Sequence, residues 1–550
     1  MMVPGSNQRT LLGWLAHRAR ALYDEISLFR YHAARSFANR AFRQLCREDL
    51  TSRPTAPFVI CEGLWDHPYH WLRLAIFAPL LAKNLDSRLL GLYEVTTSRR
   101  VIDSLNSLPL SETICINSVP NPRHFAQAES LLKDVKSPRD IINLALPFGY
   151  PGHLFYDGVL KSELMGTTDA SLPRLAGYLA QTLVYLEEYA ALFDRSRISA
   201  VIASHPVNFR FSTLVFIGLS RGIPAYILNY ANEHITVRRL MTSGEMVQGA
   251  FERPLLEHVR NLPDGKKERL VTIGRDYLKA MRKGSRGEGA TVAVYDGTDD
   301  QSADRIALLK SMGADPAKPT IVIMTNCWPD FPNVYFPGWY TDYVDWFRKT
   351  FAIISDCPDY NWLIRAHPAE FKYGNKTQLS DLIPDPLPSG VLIWPSSVSG
   401  NLVATVADLV VTATGTAGIE YPASGTPALI ARETPYRHWG FVNFSPTREG
   451  YADLLREARA IPRPSKEQQE LALMYLAITL CSAPQMDGSY RFPWGSMSYK
   501  LWISIADFIR QNRRELNFES AMLSRWLESE IDSYNVFKSV NFDLWGSPPD

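Results

Sequence analysis

Apolar positions along this chain follow two periods that take turns. Short apolar runs at 57–62, 89–93, 113–116, 198–203 and 225–228 read as strands, and the stretches 69–81, 172–193 and 211–221 carry helical spacing. Strands that alternate with helices predict a parallel sheet covered by helices. Helical spacing continues at 254–262 and 267–282 and then meets Gly284-Ser-Arg-Gly-Glu-Gly289, a composition that marks a flexible connection. A second alternating series follows. Its strands fall at 320–325, 362–364, 391–394, 409–411 and 428–431, with helical patterns at 341–354, 451–460 and 466–479. A last helical pattern at 499–531 has the length to cross back to the first series. The fold class expected is α/β, with two Rossmann-like domains facing a cleft and extra N- and C-terminal helices. The expected boundaries are 1–50 for N-terminal amphipathic helices, 51–290 for the first domain, 291–495 for the second and 496–550 for C-terminal helices.

Composition narrows the partners. A chain of 550 residues exceeds one ordinary core, which agrees with two domains. With 46% apolar residues, 21% charged residues and a formal net charge of +1, nothing global points to nucleic acid or an acidic polymer. The six cysteines are scattered without zinc or redox spacing, as reduced thiols would be. No run reaches the roughly 18 apolar residues of a membrane span, and the N-terminus lacks the pattern of a signal peptide, so the expected location is the cytoplasm. Residues 9–47 alternate arginines with Leu, Trp, Ile and Phe. Such a stripe is usually a core face, here of a helix packed on the first domain with solvated arginines. A basic amphipathic helix lying on anionic lipid, peripheral to the inner membrane, stays open as the second reading.

The chemistry concentrates between 326 and 438. The apolar run Leu409, Val410, Val411 gives way to small and hydroxyl residues from Thr412 to Gly418, where a strand would turn into a helix whose unpaired N–H groups hold phosphate. Glu420 would sit in that helix's first turn, placed to accept from ribose hydroxyls. Arg365 and His367 follow the strand at 362–364, and Pro368 keeps the chain extended there, so both can reach the ligand-binding edge of a parallel sheet. Bland readings stand beside these: a tight β-to-α turn for 412–418, an ion pair for Arg365, a helix start for Glu370. Asn326, Trp328 and Asp330 lie just past the first strand of the second domain, either on the cleft floor or in a capped turn. Tyr436, Arg437 and His438 either border the base or sugar or form a solvated loop.

The order Arg365-Ala-His-Pro-Ala-Glu370, Gly415-Thr-Ala-Gly-Ile-Glu420 and Gly425-Thr-Pro427, preceded by Asn326 and Asp330, resembles the donor half of bacterial capsular polysaccharide biosynthesis proteins of the kind that includes Kdo transferases. The resemblance covers about residues 320–445, and the first domain matches in architecture alone. It implies a GT-B glycosyltransferase whose nucleotide sugar is held by Asn326, Arg365, His367, Glu370, Thr414, Gly415, Thr416, Gly418 and Glu420, with CMP-Kdo as one donor. The acceptor would be a surface glycan or glycolipid met by the first domain.

In that domain Glu62-Gly-Leu-Trp-Asp66-His67-Pro-Tyr-His70 directly follows a strand. Transfer needs a base for the acceptor hydroxyl or a carboxylate that stabilises an oxocarbenium-like state. Glu62, Asp66 and Asp330 are the candidate catalytic residues, with Asp157 and Glu233 also placed after strands or in loops and His205 more plausible as a structural histidine. No Asp-x-Asp motif occupies a suitable loop, so neither metal nor cofactor is expected. Leaving-group charge then falls to Arg365, backbone N–H groups and the helix N-terminus. Two rivals share the pattern: a sugar-nucleotide 2-epimerase, and a non-catalytic capsule-assembly subunit with the same fold.

Overall fold

A computed structural model describes residues 29–46, 55–229, 236–246, 253–283, 304–334, 338–368, 370, 374–480, 499–529 and 533–535. Its strands, in chain order, are β1 Phe58–Glu62, β2 Arg88–Glu94, β3 Glu112–Ile116, β4 Ile198–Ala203, β5 Ala225–Asn229 and β6 Thr236–Leu240. They continue with β7 Thr320–Met324, β8 Asn361–Arg365, β9 Val391–Ile393, β10 Leu409–Thr412, β11 Ala428–Ile430, β12 Asn443–Phe444 and β13 Ser533–Asn535. Two sheets result, in the orders β13-β6-β5-β4-β1-β2-β3 and β12-β11-β10-β7-β8-β9. The second is parallel throughout. Because helices cover both faces, these strands are apolar almost continuously, and β1 is buried at every position.

The first sheet departs from the expected all-parallel form at one edge, where β6 runs antiparallel to β5 and β13 antiparallel to β6. The link from Asn229 to Thr236 is too short for the crossover that a parallel return requires. Alternate residues of the central strands face different layers, as strand geometry dictates. Val59 and Cys61 meet Trp71, Phe77, Trp502 and Trp526 on one side, and Ile60 meets Leu154, Phe155 and Leu183 on the other.

The C-terminal helices cross back to the first domain as their length allowed, while a second segment changed sides relative to the sequence expectation. The helices Tyr499–Gln511 and Arg513–Leu527 belong to the first domain's core through Trp502, Ile505, Phe508, Ile509 and Trp526, and β13 extends its sheet. Conversely, Arg253–Arg260 and Asp264–Arg282, assigned by pattern to the first domain, pack with Ile419, Trp439 and Tyr475 of the second. Gly274 faces the backbone of Leu473 there, where a Cβ would collide. A helical period fixes the apolar face of a helix and leaves open which core receives it.

Residues 29–45 form a helix that buries Ala34, Ala38, Ala41 and Phe42 against the first domain, while residues 9–28 and 47 lie outside the described residues. Its arginines are not all solvated: Arg35 is buried and pairs with Asp66 at 2.9 Å. The connection at 284–289, Cys481 and Glu233 also fall outside the described residues. Among the described residues no helix is long and apolar enough to cross a membrane.

Trp502 joins the N-terminal helix to the C-terminal pair, with its ring centroid 6.2 Å from Tyr31 and 6.5 Å from Phe42, and the Arg35 guanidinium carbon 4.8 Å above it. Trp502→Ala is expected to cost about 3–5 kcal/mol. Urea unfolding checks this, and an unchanged midpoint would show that the helices are ornamental to the first core.

Candidate functional site

Strand order reverses direction between β1 and β4 in the first sheet and between β7 and β10 in the second. At such a switch point the connections leave on opposite sides and open a crevice beyond the carboxyl ends of the strands. Both crevices carry the candidate residues.

In the second domain Asn326, just past β7, spans the switch point. Its carbonyl accepts from Thr412 Oγ1 at 3.3 Å and Ala413 N at 3.2 Å, and its amide donates to Thr414 Oγ1 at 3.3 Å. Tyr343 holds Thr414 from the other side at 2.8 Å. Asn326 therefore shapes the 412–416 loop. The loop enters Ala417–Glu420, a single helical turn that runs into the 3-10 turn Pro422–Ser424 and stops at Gly425, whose φ is 86°. A helix this short has little macrodipole, so any anion would be held by the N–H groups that its first turn leaves unpaired. Gly418 is fixed by packing, because a Cβ there would lie 2.6 Å from the Tyr436 hydroxyl. That hydroxyl donates to Gly415 O at 2.8 Å, and Tyr436 is buried against Phe441 and Tyr475. Tyr436 thus supports the loop from behind. Glu420 is nearly buried in the same turn.

The neighbouring β8 ends at Arg365, whose guanidinium lies against Gly400 so closely that a Cβ would collide with it. Thr325 ties the two loops together, donating through N to Arg365 O at 3.1 Å and accepting through Oγ1 from His367 N at 2.9 Å. Burial pushes the His367 imidazole down to about 4, with Asp330 opposing and Arg365 adding to the effect, so the ring is neutral at pH 7. Glu370 is buried and accepts from Leu379 N at 2.5 Å, which makes it an anchor for the following segment.

In the first domain the switch point is closed by Glu62. Its Oε2 accepts from Ser204 N at 2.9 Å and Ser204 Oγ at 2.6 Å, and its Oε1 accepts from Leu64 N at 2.5 Å and Trp65 N at 3.0 Å. Burial opposes its charge, but His70 and these donors outweigh burial and hold the carboxyl below its ordinary range. A fully buried carboxylate with four donors is placed to position its neighbours, and the expected role for Glu62 as a base does not fit that environment. Ser204 spends its only proton on Glu62, so the proton in its 2.9 Å contact with His205 sits on Nδ1. Burial holds His205 near 4, with Glu62 opposing. Asp66 is 37% exposed, bonded to Arg35, with Trp71 Nε1 at 3.5 Å.

The helix Gly152–Glu163 of the first domain meets the loops after β7 and β8 and brings the two crevices together. Asn333 N and Nδ2 donate to the two oxygens of Asp157 at 2.7 and 2.8 Å, and Tyr156 donates to Asp342 at 2.7 Å. Lys161 pairs with Asp330 at 2.7 Å and Glu163 with Lys376 at 2.9 Å. Arg432 donates to Asn333 Oδ1 at 3.0 Å and to Tyr340 O at 2.7 Å, and lies 3.8 Å over the Tyr340 ring.

Asn326 thus holds the loop that leads into Gly415, Thr416 and Glu420, Thr325 ties the neighbouring strand end with Arg365 and His367 beside it, Gly418 faces Tyr436, and Asp330 stands where the domains meet. Glu370 and Asp66 are placed off to either side by their own partners. Sequence reading missed Lys161, Asn333, Arg432 and Tyr343, which sit in no motif and become neighbours only through tertiary packing. Ser204 was legible, since it directly follows β4.

No protein-family model matches the chain, and no curated protein matches it. Among solved structures it is similar to Thermosulfurimonas dismutans KpsC, a beta Kdo 2,4 transferase, at 14% identity over 50% of this chain and 79% of that one, with a TM-score of 0.31. It is similar to Neisseria meningitidis UDP-GlcNAc 2-epimerase bound to UDP-GlcNAc at 10% identity, covering 84% and 99%, with a TM-score of 0.26. It is also similar to the wall teichoic acid polymerase TagF at 12% identity, covering 92% and 98%, with a TM-score of 0.20. The fold is α/β and GT-B-like, two Rossmann-like domains each with a switch point in its sheet. Scores of this size carry no residue role across, so each role rests on this chain's own geometry.

Asp157 supplies a pH test. Burial lifts its carboxyl to about 7 against the donors from Asn333 and the charge of Arg432, with Asp342 adding to the rise. The folded chain then keeps a proton that the unfolded chain has released between about pH 4 and pH 7, so stability falls as pH rises through that window. Asp157→Asn should flatten this slope, whatever its absolute stability. Urea midpoints at several pH values check it, and an unaltered slope would assign the titration elsewhere.

Proposed function

We propose that this chain is a GT-B glycosyltransferase that moves a sugar from a nucleotide-activated donor to a surface-polysaccharide or lipid-linked acceptor. One observation carries the reading. At the second domain's switch point the strand end bearing Arg365 and the neutral His367 adjoins the loop whose 414–417 N–H groups open the turn Ala417–Glu420, and this adjacency supports the reading. A phosphate fits that set of donors, and Glu420 in the same turn suits ribose hydroxyls. CMP-Kdo is one donor that this site would take.

In the reaction the acceptor oxygen bonds to the anomeric carbon while the bond from that carbon to the nucleotide phosphate breaks, its electron pair leaving with the phosphate. Arg365 and the loop N–H groups hold the charge that develops there, without a metal ion. Asp330, exposed at the meeting of the domains, takes the acceptor's proton. Asp66 offers a second carboxylate on the acceptor side, and Glu62 acts through Ser204 to hold His205. The chain would work in the cytoplasm, with the stretch 9–47 as the candidate for peripheral contact with the inner membrane.

Thermal-shift titration with CMP, CDP, UDP and GDP tests the donor site, because a ligand selective for the folded state raises its melting temperature. One of these nucleotides should stabilise the native chain, with Arg365→Ala and Glu420→Ala each weakening its affinity by about tenfold or more. Undiminished affinity in both variants would remove the site from this crevice.

A further inference from the structure

Lys161 lies outside every motif, yet like Arg139, which donates to Gly338 O and Trp339 O, it is a cation that the first domain extends to the second, and it meets a carboxylate there. We propose that Lys161 is a ligand of the donor's phosphate, and that Asp330 holds its place until the donor arrives. The proposal rests on the donor-site reading above and adds to it a contact from the opposite domain.

Position comes first. Lys161 follows Asp157 by four residues on the helix Gly152–Glu163, so the two side chains leave the same face. Asp157 is buried in its bonds to Asn333, and Glu163 is buried in its bond to Lys376. The domains are therefore held together on both sides of Lys161 by bonds that it does not make. The Lys161–Asp330 pair is open on both partners, at 36% and 54%, whereas the Glu163–Lys376 pair is exposed at Lys376 and buried at Glu163. An ion pair open to water is weak and screened, so an entering anion can exchange with Asp330 while the buried bonds stay closed.

The shape of the loop agrees. Phe331 takes a φ of 50°, a conformation that a bulky side chain rarely adopts, and this turn sets its ring 5.5 Å from the Lys161 ammonium. The ring and Asp330 together hold the long side chain over the cleft. Asp330 lies four residues past Asn326 in the loop after β7, and Asn326 is bonded to Thr412, Ala413 and Thr414, so the ammonium that pairs with Asp330 at 2.7 Å stands beside the second switch point on an element of the first domain. A nucleotide phosphate gripped by Arg365 from one domain and Lys161 from the other would bridge the cleft. Release of Asp330 at that moment exposes the carboxylate just when the acceptor's proton must be taken, so donor binding would precede deprotonation.

The alternative is an ion pair that only helps to close the domains, and the two accounts differ in sign at Asp330. Affinities for CMP, CDP, UDP and GDP are measured by calorimetry on the full chain and on Lys161→Ala, Lys161→Arg, Asp330→Asn and the Lys161→Ala/Asp330→Asn pair. The expected results are a loss of about tenfold for Lys161→Ala with partial rescue by Lys161→Arg. Asp330→Asn should tighten binding by roughly two- to fivefold, a gain absent when Lys161 is also removed. Weaker binding by Asp330→Asn, or native affinity in Lys161→Ala, overturns the proposal. If Arg365→Ala loses the nucleotide while Lys161→Ala keeps it, the donor site stands and this proposal alone fails. If neither the native chain nor Asp330→Asn binds any of the four, both fail.

Discussion

The paired bonds from Asn333 to Asp157 fix what the rest of the molecule does. They join a helix of the first domain to the loop after β7 of the second, and with Tyr156 to Asp342 they form a buried polar seam between the two sheets. A carboxylate buried this deeply is tolerated only because donors from Asn333 and the charge of Arg432 surround it. An apolar seam would bind the domains by area alone. A polar one specifies register, since only one arrangement satisfies both oxygens of Asp157.

With that register set, the two switch points do the remaining work. Each is pinned by one side chain reaching from the strand on one side to the loop on the other: Glu62 to Ser204 in the first sheet, Asn326 to Thr412, Ala413 and Thr414 in the second. Pinning of this kind keeps backbone N–H groups and short loops in place before any ligand arrives, which is what a site needs if its binding energy is to be spent on the reaction. The second crevice is equipped for an anion. The first ends in a histidine whose proton position is set by Ser204.

The donor half was legible because its signal is an order of segments: a strand, small residues, one helical turn ending in Glu420, then Gly425-Thr-Pro427 opening β11. The reasons behind single residues were less visible. Gly418 reads as a ligand-facing glycine, yet its space is taken by Tyr436, which lies well beyond it in the chain. Glu62 has the composition of a catalytic loop around it, and only the tertiary bonds from Ser204 show it closed off. Helices at 253–282 and 499–527 were found by period, but their assignment to a core depends on which apolar face meets which, information that a periodic pattern does not contain. The antiparallel edge at β6 and β13 was missed because Thr236–Leu240 carries two arginines in place of an apolar run and Ser533–Asn535 is a three-residue strand just past the helical pattern at 499–531.

Hydrogen exchange with and without CMP, CDP, UDP and GDP tests most directly whether one nucleotide occupies a crevice shared by both domains. The account predicts that one of them slows exchange together at 365–368, at 414–420 and along the helix Gly152–Glu163. Slowing confined to one domain, or to neither crevice, would contradict it.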